Sequence, residues 1–230
     1  MATRWHVAED ETDWLAQALA YTLAAEAEAL AEHGQFRVCL AGGGTPGRLY
    51  RELAATARDW PRWQVWYGDE RCLPPGHPER NSALAEQAWL RRVPIPAANV
   101  HSIPAELGAR AGAEVYARQL AGAARFDLVL LGLGEDGHTA SLFPGHDWGT
   151  AADAPDTLAV FDAPKPPPER VSLSARRLSE ARRVLFLAGG AGKRAAVAAW
   201  RGGAAIPAAA IRPAAGVDVL IDQSAYGERA

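Results

Sequence analysis

The sequence predicts an α/β fold: an open, mostly parallel, twisted sheet with helices on both faces, doubly wound in the Rossmann manner. Three observations predict it. Short apolar runs alternate with alanine-rich or amphipathic stretches, two of those runs stop in glycine-rich loops, and a Thr-Pro pair opens a helical pattern straight after the first such loop. Strands alternating with helices, with tight glycine turns after the strands, indicate parallel pairing through crossover helices. One domain covering residues 1–230 is expected, a length with ample chain for a buried core.

The elements follow in order. A short first strand ends near Val7, and Thr12 to His33 reads as a long alanine-rich helix, with Asp10 or Thr12 as cap and Gly34 at its end. Phe36 to Ala41 is an apolar run that breaks off at Gly42-Gly43-Gly44. Thr45 as N-cap with Pro46 in the first turn then starts a helix carrying Leu49, Tyr50 and Leu53. Trp63 to Tyr67 is the next strand, followed by a polar loop and a helix from Asn81 to Leu90. Glu106 to Leu120 has helical spacing, and Phe126 to Leu131 is the clearest buried strand, ending in the loop Gly132 to Gly137. Asp147 to Pro168 is rich in turn residues and is expected to be a long surface loop rather than a linker between domains. Arg182 to Ala188 reads as a strand, Gly192 to Trp200 as a helix and Val217 to Ile221 as the last strand.

Composition removes several classes of function. The net charge is −3, so nucleic acid is not the default partner. No run approaches the ~18 apolar residues of a membrane span, and the first residues lack the basic-then-apolar order of a secretory leader. Cys39 and Cys72 form neither a framework nor a CxxC pair, which fits a reducing cytosol. Fifty alanines mean that much of the apolar fraction is helix-forming methyl groups rather than large core side chains. Of 24 basic residues only Lys165 and Lys193 are lysines, a hint that chemistry retains them. Oligomeric state is open between a monomer and a small homo-oligomer.

In an open parallel sheet, ligands bind beyond the carboxyl ends of the strands. Three loops occupy such places: Gly42–Thr45, Gly68–Pro74 and Gly132–His138. The first puts glycines before a helix start, where free N–H groups and the helix dipole favour an anion. Gly42-x-Gly44-x-x-Gly47 fits the dinucleotide fingerprint, with Asp69 as a ribose-binding acid, but Gly132-x-Gly134-x-x-Gly137 fits it equally. Two matches in one chain show how little the pattern discriminates. No Gly-Lys-Ser/Thr follows either strand, which excludes a Walker-type loop. In the second loop Arg71 is able to grip phosphate or carboxylate, while Asp69 orients a neighbour or acts as a base. In the third, His138 lies just past a strand end with Asp136 two residues before it. There is no HExxH, no zinc-spaced His/Cys cluster and no GxSxG elbow, so a water nucleophile activated by His138 is favoured over metal chemistry or a covalent serine.

These residues resemble one family. Gly42-Gly-Gly-Thr-Pro46, Gly68-Asp-Glu-Arg71, Asn81, Gly134-Glu-Asp-Gly-His-Thr-Ala-Ser-Leu-Phe-Pro144, Pro164-Lys-Pro-Pro-Pro-Glu-Arg-Val-Ser-Leu173 and Gly-Gly-Ala-Gly-Lys193 are similar to signature segments of the glucosamine-6-phosphate isomerase/6-phosphogluconolactonase family, on its lactonase side. The resemblance covers nearly the whole chain. It implies a single α/β domain that hydrolyses 6-phospho-D-glucono-1,5-lactone to 6-phosphogluconate in the oxidative pentose phosphate pathway, without metal or organic cofactor. Residue by residue, it implies His138 as general base toward water and then as proton donor to the ring oxygen, with Asp69 and Arg71 in the same site. Lys193 and the Gly43, Gly44 and Thr45 backbone would hold the phosphate, and Asp136 and Arg170 complete the substrate-binding set. Arg71 is the expected oxyanion donor. Two departures stand out: Gly44 replaces the usual Ser, and Arg80 stands where Ser usually precedes Asn81, so that it either adds an anion contact or faces water.

Three other readings fit less well. Glucosamine-6-phosphate deaminase shares the Gly43-Gly-Thr-Pro46 turn, but the segment after His138 lacks the expected acid and Arg71 replaces an aromatic residue. A sugar-phosphate sensor would carry a DNA-binding module for which the chain has no spare segment. A nicotinamide-dependent oxidoreductase leaves the third loop without a role.

Overall fold

The computed structural model describes residues 2–227. The elements in order are β1 (Thr3–Ala8), α1 (Glu11–His33), β2 (Phe36–Leu40), α2 (Gly44–Ala54), β3 (Trp63–Tyr67), β4 (Asp69–Arg71), α3 (Asn81–Ala88), β5 (Val100–His101), α4 (Ala109–Leu120), β6 (Leu128–Gly132), β7 (Thr157–Val160), β8 (Arg170–Leu173), α5 (Ala175–Ser179), β9 (Arg183–Leu187), α6 (Arg194–Arg201), β10 (Val217–Asp222) and α7 (Gln223–Tyr226). Seven strands form one sheet in the order β1-β10-β9-β6-β2-β3-β5, with every neighbouring pair parallel. From β2 the chain winds outward through β3 to β5, then returns beside β2 as β6 and winds the other way through β9 and β10. The order therefore reverses between β2 and β6. That is the switch point at which an open α/β sheet leaves a crevice beyond its carboxyl ends.

Local chemistry explains the helix limits. Asp10 caps α1 by accepting from the Asp13 N–H at 2.8 Å, and Gly34 closes it in the left-handed conformation. Thr12 lies inside the helix. Trp14, Ala18, Ala25 and Ala29 form the buried side of α1, so the alanines let it lie close on β1, β2 and β10. The large core side chains sit elsewhere: Phe36, Trp60, Trp63 and Trp89 meet edge-on or tilted at centroid separations of 4.6–5.7 Å.

Four expectations are corrected. Thr45 is not the N-cap of α2. The helix starts at Gly44 behind Gly43, and no side chain caps it. The helix expected from Glu106 starts only at Ala109, because Gly108 at φ +86° breaks the path. The second loop is not irregular, since Asp69–Arg71 is a strand. The segment Asp147 to Pro168 is not simply a loop: it contains β7, which with β8 and β4 builds a second, antiparallel sheet in the order β4-β8-β7. In that sheet Arg71 stands opposite Arg170, which ties the second loop to the proline-rich run. No helix among the described residues is long and apolar enough to cross a membrane.

Candidate active site

A cleft of about 410 Å³ opens at the switch point, bounded by Gly42–Thr45 after β2, by Gly132–Gly134 and His138 after β6, and by Leu187–Gly189 after β9. Asp69, Arg71, Arg170, Lys165 and Lys193 also line it. The three loops that the sequence singled out therefore meet in one place, with the proline-rich run beside them.

His138 is held by its own loop. The Gly134 N–H donates to the His138 carbonyl at 2.7 Å, and Thr139 Oγ1 donates to the Gly132 carbonyl at 2.8 Å. Asp136 Oδ1 lies 2.5 Å from His138 Nδ1 and also accepts the His138 backbone N–H at 3.1 Å. A Cβ on Gly134 would lie 2.0 Å from His138 Nδ1, so only glycine leaves room for this pairing. Partial burial pushes the Asp136 carboxyl up, but its hydrogen bonds from His138 prevail and hold it below the usual carboxylate range. An ionised carboxylate only accepts, so Nδ1 carries a proton, and in the neutral ring Nε2 is then the atom with the lone pair. Asp136 Oδ1 thus holds both the ring and the backbone of His138. Phe143 backs the ring at 4.9 Å.

Asp69 is 6% exposed and both of its oxygens are engaged. Oδ1 accepts from Asn81 Nδ2 at 2.9 Å, and Oδ2 accepts from Ser141 Oγ at 2.6 Å. Ser141 reaches it because Ala140, at φ +47°, turns the chain back just after His138. Asn81 presses on the first loop too: a Cβ on Gly42 would lie 1.8 Å from Asn81 Oδ1. The glycines of the two fingerprint matches thus make room for Asn81 and His138, and the Asp69 carboxylate is committed to Asn81 and Ser141.

The cations are of three kinds. Arg71 donates through Nη1 to the Glu79 carbonyl, and its buried Nε has no partner. Arg170 donates to the carbonyls of Lys165 at 3.0 Å and Pro167 at 3.2 Å, and its guanidinium lies 5.5 Å from the Phe143 ring centroid. Burial, with the like charge of Arg71 nearby, holds Arg170 below the ordinary guanidinium range against the pull of Asp69. It lines the cleft, but these bonds spend it largely on fixing the proline-rich run. Lys193 is half-buried just before α6, and Lys165 is exposed at the rim. None of these four cations forms an ion pair among the described residues.

Sequence reasoning quoted Asn81, Ser141 and Phe143 in its motif segments without assigning them a role. The Asp-Gly-His-Thr-Ala-Ser run contained the signal for Ser141, but only the fold brings it to Asp69. Arg80 neither lines the cleft nor faces water. It is 4% exposed and paired with Glu70 and Glu106.

Comparison with known proteins shows the family. The family model described as glucosamine-6-phosphate isomerases/6-phosphogluconolactonase matches residues 9–220. The chain is 39% identical over 222 residues to a 6-phosphogluconolactonase of Streptomyces coelicolor, covering 87% of this chain and 85% of the relative. It is 40% identical over 179 residues to the 6-phosphogluconolactonase of Synechocystis, covering 74% and 73%. The solved 6-phosphogluconolactonase of Thermotoga maritima superposes with a TM-score of 0.88 at 27% identity, over 96% of this chain and all 100% of that one. That of Trypanosoma brucei gives 0.87 at 27% identity over 97% of each. The chain belongs to the glucosamine-6-phosphate isomerase/6-phosphogluconolactonase family.

Proposed function

We propose that the protein hydrolyses 6-phospho-D-glucono-1,5-lactone to 6-phosphogluconate, the lactone step of the oxidative pentose phosphate pathway, with His138 activating the attacking water. The observation that carries this reading is the Asp136–His138 pair at 2.5 Å, set in a cleft whose cations have no carboxylate partners among the described residues. The relatives named above support the choice of substrate.

The chemistry follows from the atoms. Asp136 fixes the tautomer, so His138 Nε2 takes one proton from water as the water oxygen bonds to the lactone carbonyl carbon. The carbonyl electron pair moves onto oxygen, where the Arg71 guanidinium provides donors. When the intermediate collapses, the bond from that carbon to the ring oxygen breaks. The imidazolium then returns its proton to that oxygen, which becomes a hydroxyl. General-base assistance of this type is worth about 10²–10⁴-fold. Both Asp69 oxygens already accept a hydrogen bond, and in this reading Asp69 holds Asn81 and Ser141 in register around the cleft.

The phosphate belongs at the start of α2. No side chain caps that helix, so the Gly44 and Thr45 N–H groups and the helix dipole face the cleft. Backbone groups thus substitute for the hydroxyl that Gly44 lacks, and Lys193 adds a compact charge. The protein acts in this reading as a single domain, monomeric or a small homo-oligomer, in a reducing cytosol that keeps Cys39 and Cys72 as free thiols.

The test generates the lactone in situ from glucose 6-phosphate and follows its decay beside the spontaneous rate. Accelerated decay without ammonia release from glucosamine 6-phosphate is expected. Spontaneous decay accompanied by ammonia release would assign the chain to the deaminase side of its family.

A further inference from the structure

The second loop stands on a buried ion pair that the reaction itself does not use. Side chains alternate along β4, so Asp69 and Arg71 face the cleft while Glu70 points the other way, into the start of α3. Glu70 is 1% exposed. Its carboxylate accepts the Arg71 and Asn81 backbone N–H groups at 2.8 Å, the Ser82 N–H at 2.9 Å and Ser82 Oγ at 2.8 Å. The N-cap residue of α3 is Arg80, which contributes no capping side chain, so Glu70 caps the helix from a neighbouring strand.

A charge this deep requires a counter-charge. Arg80 places Nε 3.3 Å from Glu70 Oε2 and donates to the Ile103 carbonyl at 2.8 Å, to Glu106 at 2.9 Å and to the Leu73 carbonyl at 3.2 Å. Its chain neighbours both touch the cleft machinery. Glu79, before it, offers the carbonyl that receives Arg71, and Asn81, after it, holds Asp69 and abuts Gly42.

We propose that the Glu70–Arg80 pair is a positioning device for Arg71 and Asn81, and through Asn81 for Asp69 and the glycine loop. This rests on the lactonase reading above. Because Arg71 and Asp69 serve the reacting end of the substrate, the pair acts mainly on kcat. Lys193, at the phosphate end, does not touch it.

Two variants test this: Glu70→Gln, which keeps the shape and loses the charge, and Arg80→Met, which keeps much of the length and loses every donor. Each is melted thermally, then assayed for lactone decay across pH at a temperature where it is folded. Small displacements of catalytic groups are costly, so kcat should fall at least ~10-fold with KM within ~3-fold of wild type. The shape of the pH profile should be unchanged. Glu70→Gln should retain more activity than Glu70→Ala, because it keeps one acceptor oxygen. A lowered Tm with wild-type kcat per folded molecule would overturn the proposal, as would failure of both variants to fold, which would make the pair a folding element. An inactive wild type would overturn the lactonase reading beneath it, whereas an active wild type with unaltered variants would overturn this inference alone.

Discussion

The two ends of the parallel sheet carry similar numbers of cations and use them oppositely. At the amino ends of the strands, Arg4 meets Asp218 at 2.7 Å, Arg183 meets Glu28 at 2.5 Å, and Arg182 pairs with Glu32 and, at 3.4 Å, with Asp127. His6 and Tyr21 add to Asp218 at 2.7 and 2.6 Å, and His33 adds to Asp127 at 2.9 Å. At the carboxyl ends, Arg71, Arg170, Lys165 and Lys193 line one cleft without a carboxylate partner among the described residues. A histidine–carboxylate pair there, His138 with Asp136, leaves Nε2 without a partner among the described residues. Neutralised charge fastens the strands at one end, and uncompensated charge awaits an anion at the other. A net charge of −3 is therefore compatible with an anionic substrate, since only the local field matters.

Breaking the cleft end should have the larger effects. His138→Ala should lower kcat by about 10²–10⁴-fold, while 6-phosphogluconate still binds by calorimetry. Arg71→Gln should lower kcat by roughly 10²–10³-fold, the usual loss for one oxyanion donor. Steady-state lactone assays at matched protein concentration check both. Lys193→Ala removes one charge-assisted contact and should raise KM by about 10–100-fold with kcat little changed. An unchanged KM would move the phosphate away from Lys193.

Breaking the opposite end should leave catalysis alone. Asp218 is nearly buried. Burial raises its carboxyl, but hydrogen bonds from Arg4, Tyr21 and His6 prevail and lower it from 3.8 to about 2. A folded-state value below the unfolded one stabilises the native chain above pH ~4, and this contribution is lost as pH falls toward ~2. Asp218→Asn should cost about 1–2 kcal/mol at pH 7, a figure discounted because Arg4 is half exposed. The variant should also lose the wild type's extra stability drop between pH 4 and 2. Urea melts at several pH values measure it, and lactone turnover at pH 7 should not move.

The same contrast separates what the sequence revealed from what it concealed. Local signals were legible: the Asp10 cap, the Gly34 stop, the apolar strands, the glycines after β2 and β6, and His138 two residues from Asp136. Partners brought together by folding were not. Asn81 and Ser141 converge on Asp69 from 12 and 72 residues away. The switch point depends on which strands become neighbours, and periodicity does not encode that. β4, β7 and β8 have only three or four residues each, too few to display an alternation, and Asp-Glu-Arg reads as a solvated turn until its pairing with β8 is known. Arg80 was open between an anion contact and the surface because burial of an arginine is set by acids elsewhere, here Glu70 and Glu106.

The most direct test runs three proteins in one lactone-decay assay at pH 7: wild type, Asp218→Asn and His138→Ala. Wild type and Asp218→Asn should give the same accelerated decay, and His138→Ala should approach the spontaneous rate. A His138→Ala protein that hydrolyses the lactone as fast as wild type would contradict the assignment of the chemistry to His138 and the switch-point cleft.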